Sequence, residues 1–303
     1  MVTKSLCIAA MTFAMATTAH TAALRTFVSG FGSDGNTSTN CSHAQPCRTF
    51  AAAVTVTASG GEIEALDPAG YGPITISGPL TLVGVPGAAI NVPSGGAGIT
   101  VNAPPLTSVH ITGLLIDGGG SGTTGIQING AGTVVVENCV IRNVTNDGIN
   151  LYNTVSTVEL FVSNTLVADN GYYGIFVFPK GNVSVYATFN RVEASHNAYN
   201  ILLEADQASG TVTGTAFGSV SVGSLVGFET YGPATLNLLH SIASNNTDGV
   251  YASGGTIRLD QSMVTGNFSG WRTDNGGSVL SYVNNSIDGN SSNEAPPPTL
   301  GVK

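Results

Sequence analysis

Residues 136–141 (VENCVI), followed by Gly148 and Ile149, carry the pattern that decides the fold. An alternating apolar run ends at an Asn, a short apolar pair follows, and a Gly introduces one further apolar residue. This order recurs along the chain every 21 to 27 residues. The apolar residue that follows Gly or Asn, which we call the leader of its repeat, is Ile99, Ile126, Ile149, Ile175, Ile201, Phe228, Val250 or Trp271. A period of this length indicates a repeat protein.

Each period contains three short apolar runs, such as residues 134–136, residues 140–141 and the run that begins at Ile149. A unit of about 25 residues cannot bury its apolar side alone, but coils stacked about 4.8 Å apart bury it continuously. We therefore predict an all-β fold, a single parallel β-helix with three-strand coils. Propeller blades need longer repeats and leucine-rich repeats need a different frame. A β-sandwich remains an alternative, although it does not account for the regularly spaced Asn residues.

Asn residues recur at two corners between the runs. The first column contains Asn138, Asn164, Asn190 and Asn285, with His240 and Gln261 as substitutes. The second column contains Asn143, Asn170, Asn197, Asn246, Asn267 and Asn290. Asn tolerates a left-handed backbone and bonds its own main chain, so it suits a tight bend that every coil repeats. Stacked Asn side chains also predict an amide ladder.

The composition excludes several classes of partner. Only 9% of the 303 residues are charged, where a globular domain has about 25%. The net charge is −9, and the nine Lys and Arg residues are scattered. A chain of this kind has no positive stripe to neutralise phosphates, so we expect it to bind neither nucleic acid nor acidic lipid.

The N-terminus has the three-part layout of a secretory signal peptide, which we place at residues 1–22. No later stretch reaches 18 uninterrupted apolar residues, so we expect no membrane span. After removal of the signal peptide, we expect the protein to be secreted to the periplasm or the exterior, and we expect a monomer. Residues 23–60 are expected to form an N-terminal cap with an amphipathic helix over residues 49–58. Residues 61–290 are expected to form the β-helix, and residues 291–303 a flexible tail.

The cysteines are consistent with an oxidising compartment. Cys41 and Cys47 flank a short loop that we expect to be closed by a disulfide. Cys139 is left unpaired within an apolar run, so it is expected to be a buried structural thiol. The cysteines and the five His residues have no metal-ligand spacing, so we expect no metal site and no cofactor.

The sequence resembles a known group of proteins. The stretches 47–53 (CRTFAAA), 60–63 (GGEI), 66–72 (LDPAGYG) and 74–84 look like the opening of secreted right-handed β-helix proteins of the pectin-lyase-like superfamily. The repeat at residues 136–141 resembles their coil, and the resemblance covers about residues 25–290. It implies a right-handed helix. Short pieces around Asp147, His196 and Asp248 resemble fragments of polygalacturonase motifs but do not form the complete set.

Strand alternation predicts a functional face. With the leaders pointing inward, the residues one and three positions later point outward. This places aromatic residues that could stack on sugar rings at Tyr152, Phe176, Phe178, Tyr231 and Tyr251. The candidate catalytic residues on the same face are Glu204, Glu229, Asp274 and Arg272. Because Arg272 is the face's only basic residue, an acidic pectin polymer is disfavoured as a substrate.

The sequence therefore predicts an exported β-solenoid that presents a carbohydrate-binding or cell-surface-interaction face without strong catalytic activity. Two alternatives remain. One is a carbohydrate-active enzyme, either a polysaccharide lyase or a glycoside hydrolase, that uses the carboxylates of this face. The other is a structural or adhesive spacer.

Overall fold

The computed structural model describes residues 21–153, 156–206 and 210–301. The signal peptide predicted at residues 1–22 falls outside this part except for its last two residues. Within the described residues, 29 strands form three parallel sheets. From β4 onward each coil gives one strand to sheet A, one to sheet B and one to sheet C. The prediction of an all-β parallel β-helix with three-strand coils is confirmed.

The strands of sheet A are β1 (Ala23–Val28), β2 (Thr57–Ala65), β4 (Leu80–Val83), β7 (Ser108–Thr112), β10 (Thr133–Glu137), β13 (Val158–Ser163), β16 (Val185–Asn190), β19 (Val212–Phe217), β22 (Thr235–Leu239), β25 (Thr256–Asp260) and β28 (Ser278–Ser281). Those of sheet B are β5 (Ala89–Asn91), β8 (Leu115–Asp117), β11 (Val140–Arg142), β14 (Leu166–Ala168), β17 (Glu193–Ser195), β20 (Val220–Val222), β23 (Ile242–Ser244), β26 (Met263–Thr265) and β29 (Ser286–Asp288). Those of sheet C are β3 (Ile74–Ile76), β6 (Ala97–Asn102), β9 (Thr124–Gly130), β12 (Ile149–Leu151), β15 (Tyr173–Val177), β18 (Tyr199–Glu204), β21 (Val226–Tyr231), β24 (Asp248–Ser253) and β27 (Ser269–Asp274).

The leaders form one continuous inner row of sheet C. Ile149 pairs with Ile126 on one side and with Ile175 on the other, and the row runs in register from Ile99 to Trp271. Every leader except Trp271 is fully buried. Because the alternation of each strand directs these residues inward, the core extends along the whole axis of the stack.

The second Asn column forms the predicted amide ladder. Asn246 Nδ2 donates to Asn267 Oδ1 at 3.1 Å, and Asn267 Nδ2 donates to Asn290 Oδ1 at 2.9 Å. The left-handed residue lies one position earlier in the coil, as at Asn245. At Asn143 and in the first column at Asn138 and Asn164, the Asn is itself left-handed, as predicted.

Two positions assigned to the first Asn column are wrong by one or two residues. The left-handed residue is Arg191 where Asn190 was predicted and Val283 where Asn285 was predicted. Asn190 instead ends β16 in register with Ser163. The lengths of the runs vary between coils, so counting from one Asn to the next misplaces some of the bends.

The N-terminal cap has a shorter helix than predicted. The helix α1 covers Phe50–Ala53, and the Thr49 side chain caps it by accepting a hydrogen bond from Ala52 N. The prediction of a helix to residue 58 was wrong because the β-branched run of residues 54–57 leads into β2. Phe50 and Ala53 are buried in the core, and a disulfide joins Cys41 to Cys47 beside them.

The last described residues lie across the end of the stack. Ser281 N donates to Pro298 O, and Leu300 N donates to Ser281 O. Trp271 Nε1 donates to Ala295 O at 2.9 Å. The prediction of a frayed tail overlooked these contacts, because prolines are excluded from a ladder but not from a segment that crosses an open end.

Candidate functional site

The outer face of sheet C carries three columns of side chains. The first column, two residues before the leaders, contains Asp147, Tyr173, Tyr199, Val226 and Asp248. The second, one residue after them, contains Gln127, Asn150, Phe176, Leu202, Glu229, Tyr251 and Arg272. The third, three residues after them, contains Asn129, Tyr152, Phe178, Glu204, Tyr231, Ser253 and Asp274.

A bend before the leader creates the first column. The residue that directly precedes the leader is Gly in seven of the eight repeats. In the remaining repeat it is Asn200. A Cβ at Gly148 would lie 2.4 Å from Val167 Cγ1, inside the corner with sheet B. The chain therefore turns this position inward, and the residue before it points outward beside the second column. The regular inward and outward alternation of side chains along a strand does not predict this arrangement.

An aromatic cluster lies in the middle of the face and consists of Tyr172, Tyr173, Phe176 and Tyr199. The rings of Tyr173 and Phe176 stack with centroids 4.4 Å apart. Tyr199 contacts Tyr172 and Tyr173, each at 5.4 Å. Tyr173, Phe176 and Tyr199 are half-buried, so part of each ring remains open to solvent. Phe178 extends the cluster into the third column, 5.7 Å from Phe176.

Glu229 lies next to this cluster, one coil beyond Leu202. Its side chain is only 7% exposed, and Oε2 has no hydrogen-bond partner among the described residues. Burial raises the pKa of Glu229 to about 7, against the opposing charge of Arg272 and with smaller contributions from Glu204 and Asp248. At neutral pH this carboxyl therefore exists in both protonation states, which suits a group that donates or accepts a proton.

Arg272 is held by contacts at the far end of the same face. Its Nη1 lies 3.0 Å from Asp248 Oδ2, and its Nε lies 3.8 Å from Asp274 Oδ2. The guanidinium lies 3.9 Å from the centroid of the Tyr251 ring, and the Tyr251 hydroxyl lies 3.2 Å from Asp274 Oδ2. The two carboxylates and the ring together fix the orientation of the guanidinium.

Glu204 lies diagonally from Glu229 on the neighbouring strand. Leu202 is directly opposite Glu229, and Glu204 is opposite Tyr231. A diagonal of one strand spacing and two residues separates the two Cα atoms by about 8 Å. Glu204 is half-buried, and burial raises its pKa. The two residues therefore lie on adjacent coils, and the charge of Glu204 contributes to the raised pKa of Glu229.

The structure spreads the predicted site residues along the face of sheet C. Phe176, Glu229, Tyr251 and Arg272 stand in the second column, and Glu229, Tyr251 and Arg272 follow one another in adjacent coils. Tyr152 lies at the other end and contacts Phe178 at 6.0 Å. Asp274 is three strands from Glu204, so about 14 Å separates them along the stack. Tyr231 borders a cavity of about 360 Å³ together with Pro233 and Asn275.

Several residues of the site were not predicted. Tyr172, Tyr173, Tyr199 and Asp248 were missed because the bend at the residue directly before the leader was not recognised. A signal was present in the sequence: a Tyr or Asp stands two residues before the leader in four coils, at Asp147, Tyr173, Tyr199 and Asp248. The sequence motifs alone relate Asp147 and Asp248 only to isolated fragments.

Away from sheet C, the described residues do not form a second chemical site. Cys139 is buried, and burial raises the pKa of its thiol to about 11, which suppresses the reactive thiolate. The part of the chain that the structure describes contains no group of three or more His, Cys, Asp or Glu residues placed to hold a metal ion. No helix within the same residues is long and apolar enough to cross a membrane.

Comparison with known proteins identifies the fold. A family model described as "Right handed beta helix region" matches residues 97–292, well over half of the chain. Among solved structures, the crystal structure of pectate lyase Pel9A is similar with a TM-score of 0.52 and 18% sequence identity, over 87% of this chain and 70% of that chain. No curated protein matches the sequence. The chain therefore belongs to the right-handed β-helix family.

Proposed function

We propose that the protein is an exported β-helix that binds a glycan along the outer face of sheet C. The observation that carries the proposal is the partly open aromatic cluster beside the unpartnered carboxyl oxygen of Glu229. Aromatic faces pack against the apolar faces of sugar rings, and carboxylates accept hydrogen bonds from sugar hydroxyls. Both kinds of group stand on adjacent coils of the same face, which suits an extended polymer.

The charges of the face favour a ligand that is not acidic. Arg272 is paired with two carboxylates, and Glu204 and Glu229 add further negative charge. A polyuronate needs several free cations, so it would be repelled here. Pectate lyase Pel9A shares the fold at 18% identity, which supports a β-helix scaffold and does not assign its substrate to this chain.

A glycan array followed by calorimetry tests the proposal. The wild-type protein is expected to bind at least one neutral or basic glycan. Tyr199→Ala and Phe176→Ala are expected to weaken binding roughly ten- to hundredfold, taking the stacking of a ligand ring on an aromatic side chain as on the order of 1–3 kcal/mol. The matched control is Tyr186→Ala, which removes a 48% exposed ring from the outer face of sheet A.

Two outcomes would count against glycan binding on this face. Equal losses of glycan affinity in Tyr199→Ala and Tyr186→Ala would show that the loss does not depend on the face of sheet C. No binding to any glycan would leave the structural or adhesive spacer as the better description.

Glycoside hydrolysis is a second candidate function, favoured by the pKa of Glu229 of about 7 and by the nearby Glu204. In that reaction Glu229 would protonate the glycosidic oxygen as the bond to the anomeric carbon breaks. Glu204 would take a proton from the water that adds its hydroxyl to that carbon.

Hydrolysis is tested by measuring the release of reducing ends from those glycans that bind. If the protein hydrolyses these glycans, the wild type is expected to release product. Glu229→Gln is expected to lower the rate of release at least about a hundredfold, which is the scale of one general acid. Binding without product would restrict the role of the face to recognition.

A further inference from the structure

Negative charge exceeds positive charge on the outer face of sheet C between the aromatic cluster and the end that carries Arg272. Four carboxyl groups lie there, at Glu204, Glu229, Asp248 and Asp274. Arg272 is already held between Asp248 and Asp274 and does not form an ion pair with Glu229 among the described residues. Glu229 is therefore the one of these four groups that is deeply buried and left without a polar partner at Oε2.

The other nearby cation is also engaged. Lys180 Nζ lies 3.8 Å from Asp206 Oδ2 and 3.7 Å from the centroid of the Phe178 ring. The contact with Phe178 shows that the aromatic rings of this face accept a cation. Rings of Tyr and Phe attract ammonium groups through the negative potential of their faces.

We propose that the glycan bound on this face contains amino sugars with free amino groups, and that Glu229 receives one of these groups as an ammonium ion. The inference rests on the proposed function and names the chemical class of the ligand. A hydroxyl group would donate a hydrogen bond to the carboxylate, whereas an ammonium ion would donate hydrogen bonds and also compensate its charge. N-acetylation would remove that charge, and a uronic acid would add repulsion.

Access to Glu229 is limited but present. The residue keeps 7% of its surface exposed, but Oε2 is itself covered, so an ammonium group has to approach the carboxyl through the part of the residue that is open to the face. The last torsion of a Glu side chain is broad and nearly two-fold, so rotation exchanges the two carboxyl oxygens. A primary ammonium is smaller than an acetamido group and fits this restricted approach better.

Calorimetric titration with three probes tests the inference. The probes are a glucosamine hexasaccharide, its fully N-acetylated counterpart, and an oligolysine of the same charge. We expect the free-amino sugar to bind roughly ten- to hundredfold more tightly than the acetylated one, the range for a hydrogen bond to a charged group. Glu229→Gln is expected to abolish this preference, while Glu193→Gln, which changes an exposed carboxylate on sheet B, is expected to retain it.

Proton release gives a second readout. The charged or titratable groups that influence Glu229 are Glu204, Asp248 and Arg272, and the Tyr199 and Tyr173 hydroxyls respond to its charge. An ammonium ion stabilises the carboxylate, so binding should lower the pKa of Glu229. At a pH of about 6 the free carboxyl, with its pKa of about 7, is mostly protonated, so binding should release nearly one proton. Titrations in buffers of different ionisation enthalpy measure this release, which should be absent in Glu229→Gln.

The outcomes separate this inference from the proposed function. Equal or tighter binding of the acetylated sugar would overturn the amino-sugar assignment and leave glycan binding intact. Oligolysine binding as tightly as the amino sugar would also overturn it, by showing a general cation site. Failure of every glycan in the array would instead contradict the proposed function itself.

Discussion

Glu229 illustrates how a single residue in a repeat acquires properties that its neighbours lack. The equivalent position in adjacent coils is Leu202 or Tyr251, so an apolar or aromatic group covers each side of the carboxyl. Solvation of the carboxylate is lost, and the group holds a proton at a pH where a free Glu is ionised. The stability of the protein should therefore depend on the protonation of Glu229.

We expect Glu229→Gln to stabilise the protein increasingly as the pH rises. Because the folded pKa of about 7 lies above that of an unfolded Glu, the wild-type stability contribution is fully present below about pH 4.3 and is lost as the pH rises through 7. Between these limits, the free energy of unfolding of the variant should rise relative to that of the wild type by on the order of 3 kcal/mol. Urea unfolding across the pH range measures the difference.

Glu193→Gln makes the same chemical change at an exposed position and serves as the control. A difference between Glu229→Gln and the wild type that stays constant from acidic to alkaline pH would contradict the assigned environment of Glu229.

At the scale of the element, the Asn ladder holds the corner between sheets B and C. Asn267 is 2% exposed, and its Nδ2 donates to Ala243 O, Thr265 O and Asn290 Oδ1. Its Oδ1 accepts hydrogen bonds from the backbone and side-chain nitrogens of Asn246. Each coil is therefore tied to the next by groups that water cannot reach.

Asn267→Ala is expected to lower the free energy of unfolding by about 2–5 kcal/mol, because several buried polar groups would lose their partners. Asn237→Ala, a half-buried site on the outside of sheet A, should cost less than about 1 kcal/mol. The midpoints of urea unfolding compare the two variants. Equal midpoints would show that the ladder is not a source of stability.

The elements also show which features the sequence could predict. The inner row of leaders and the buried ladder were predicted because every coil repeats the same side-chain requirement. The left-handed bends at Arg191 and Val283 were misplaced because coil lengths vary. The first column of the functional face was missed since the bend at Gly reverses the expected direction of the preceding residue. The burial of Glu229 depends on the neighbouring coils, which no local pattern describes.

At the scale of the whole molecule, a stack of parallel strands has two ends where backbone groups are open. The segment 291–301 covers one of them through Trp271, Ser281 and Asn290, whose backbone nitrogen donates to Glu294 Oε1. Open edges of this kind pair with other chains unless something covers them.

Deletion of residues 294–303 is therefore expected to cause self-association through the exposed end. The measurement is the molar mass by light scattering over a range of protein concentrations. Deletion of residues 302–303 alone, which lie beyond the contacts described above, is the control. A truncated protein whose molar mass does not change with concentration would contradict the capping role.

The in-register pairing of the leaders has a consequence for how such a molecule can change. Duplication of one coil would insert one further rung and leave every other side chain in its column, since the repeat preserves the register. The span available to a ligand could thus grow or shrink in increments of about 4.8 Å. Size selectivity would then evolve by adding or losing whole rungs, while the chemistry of each existing rung stays unchanged.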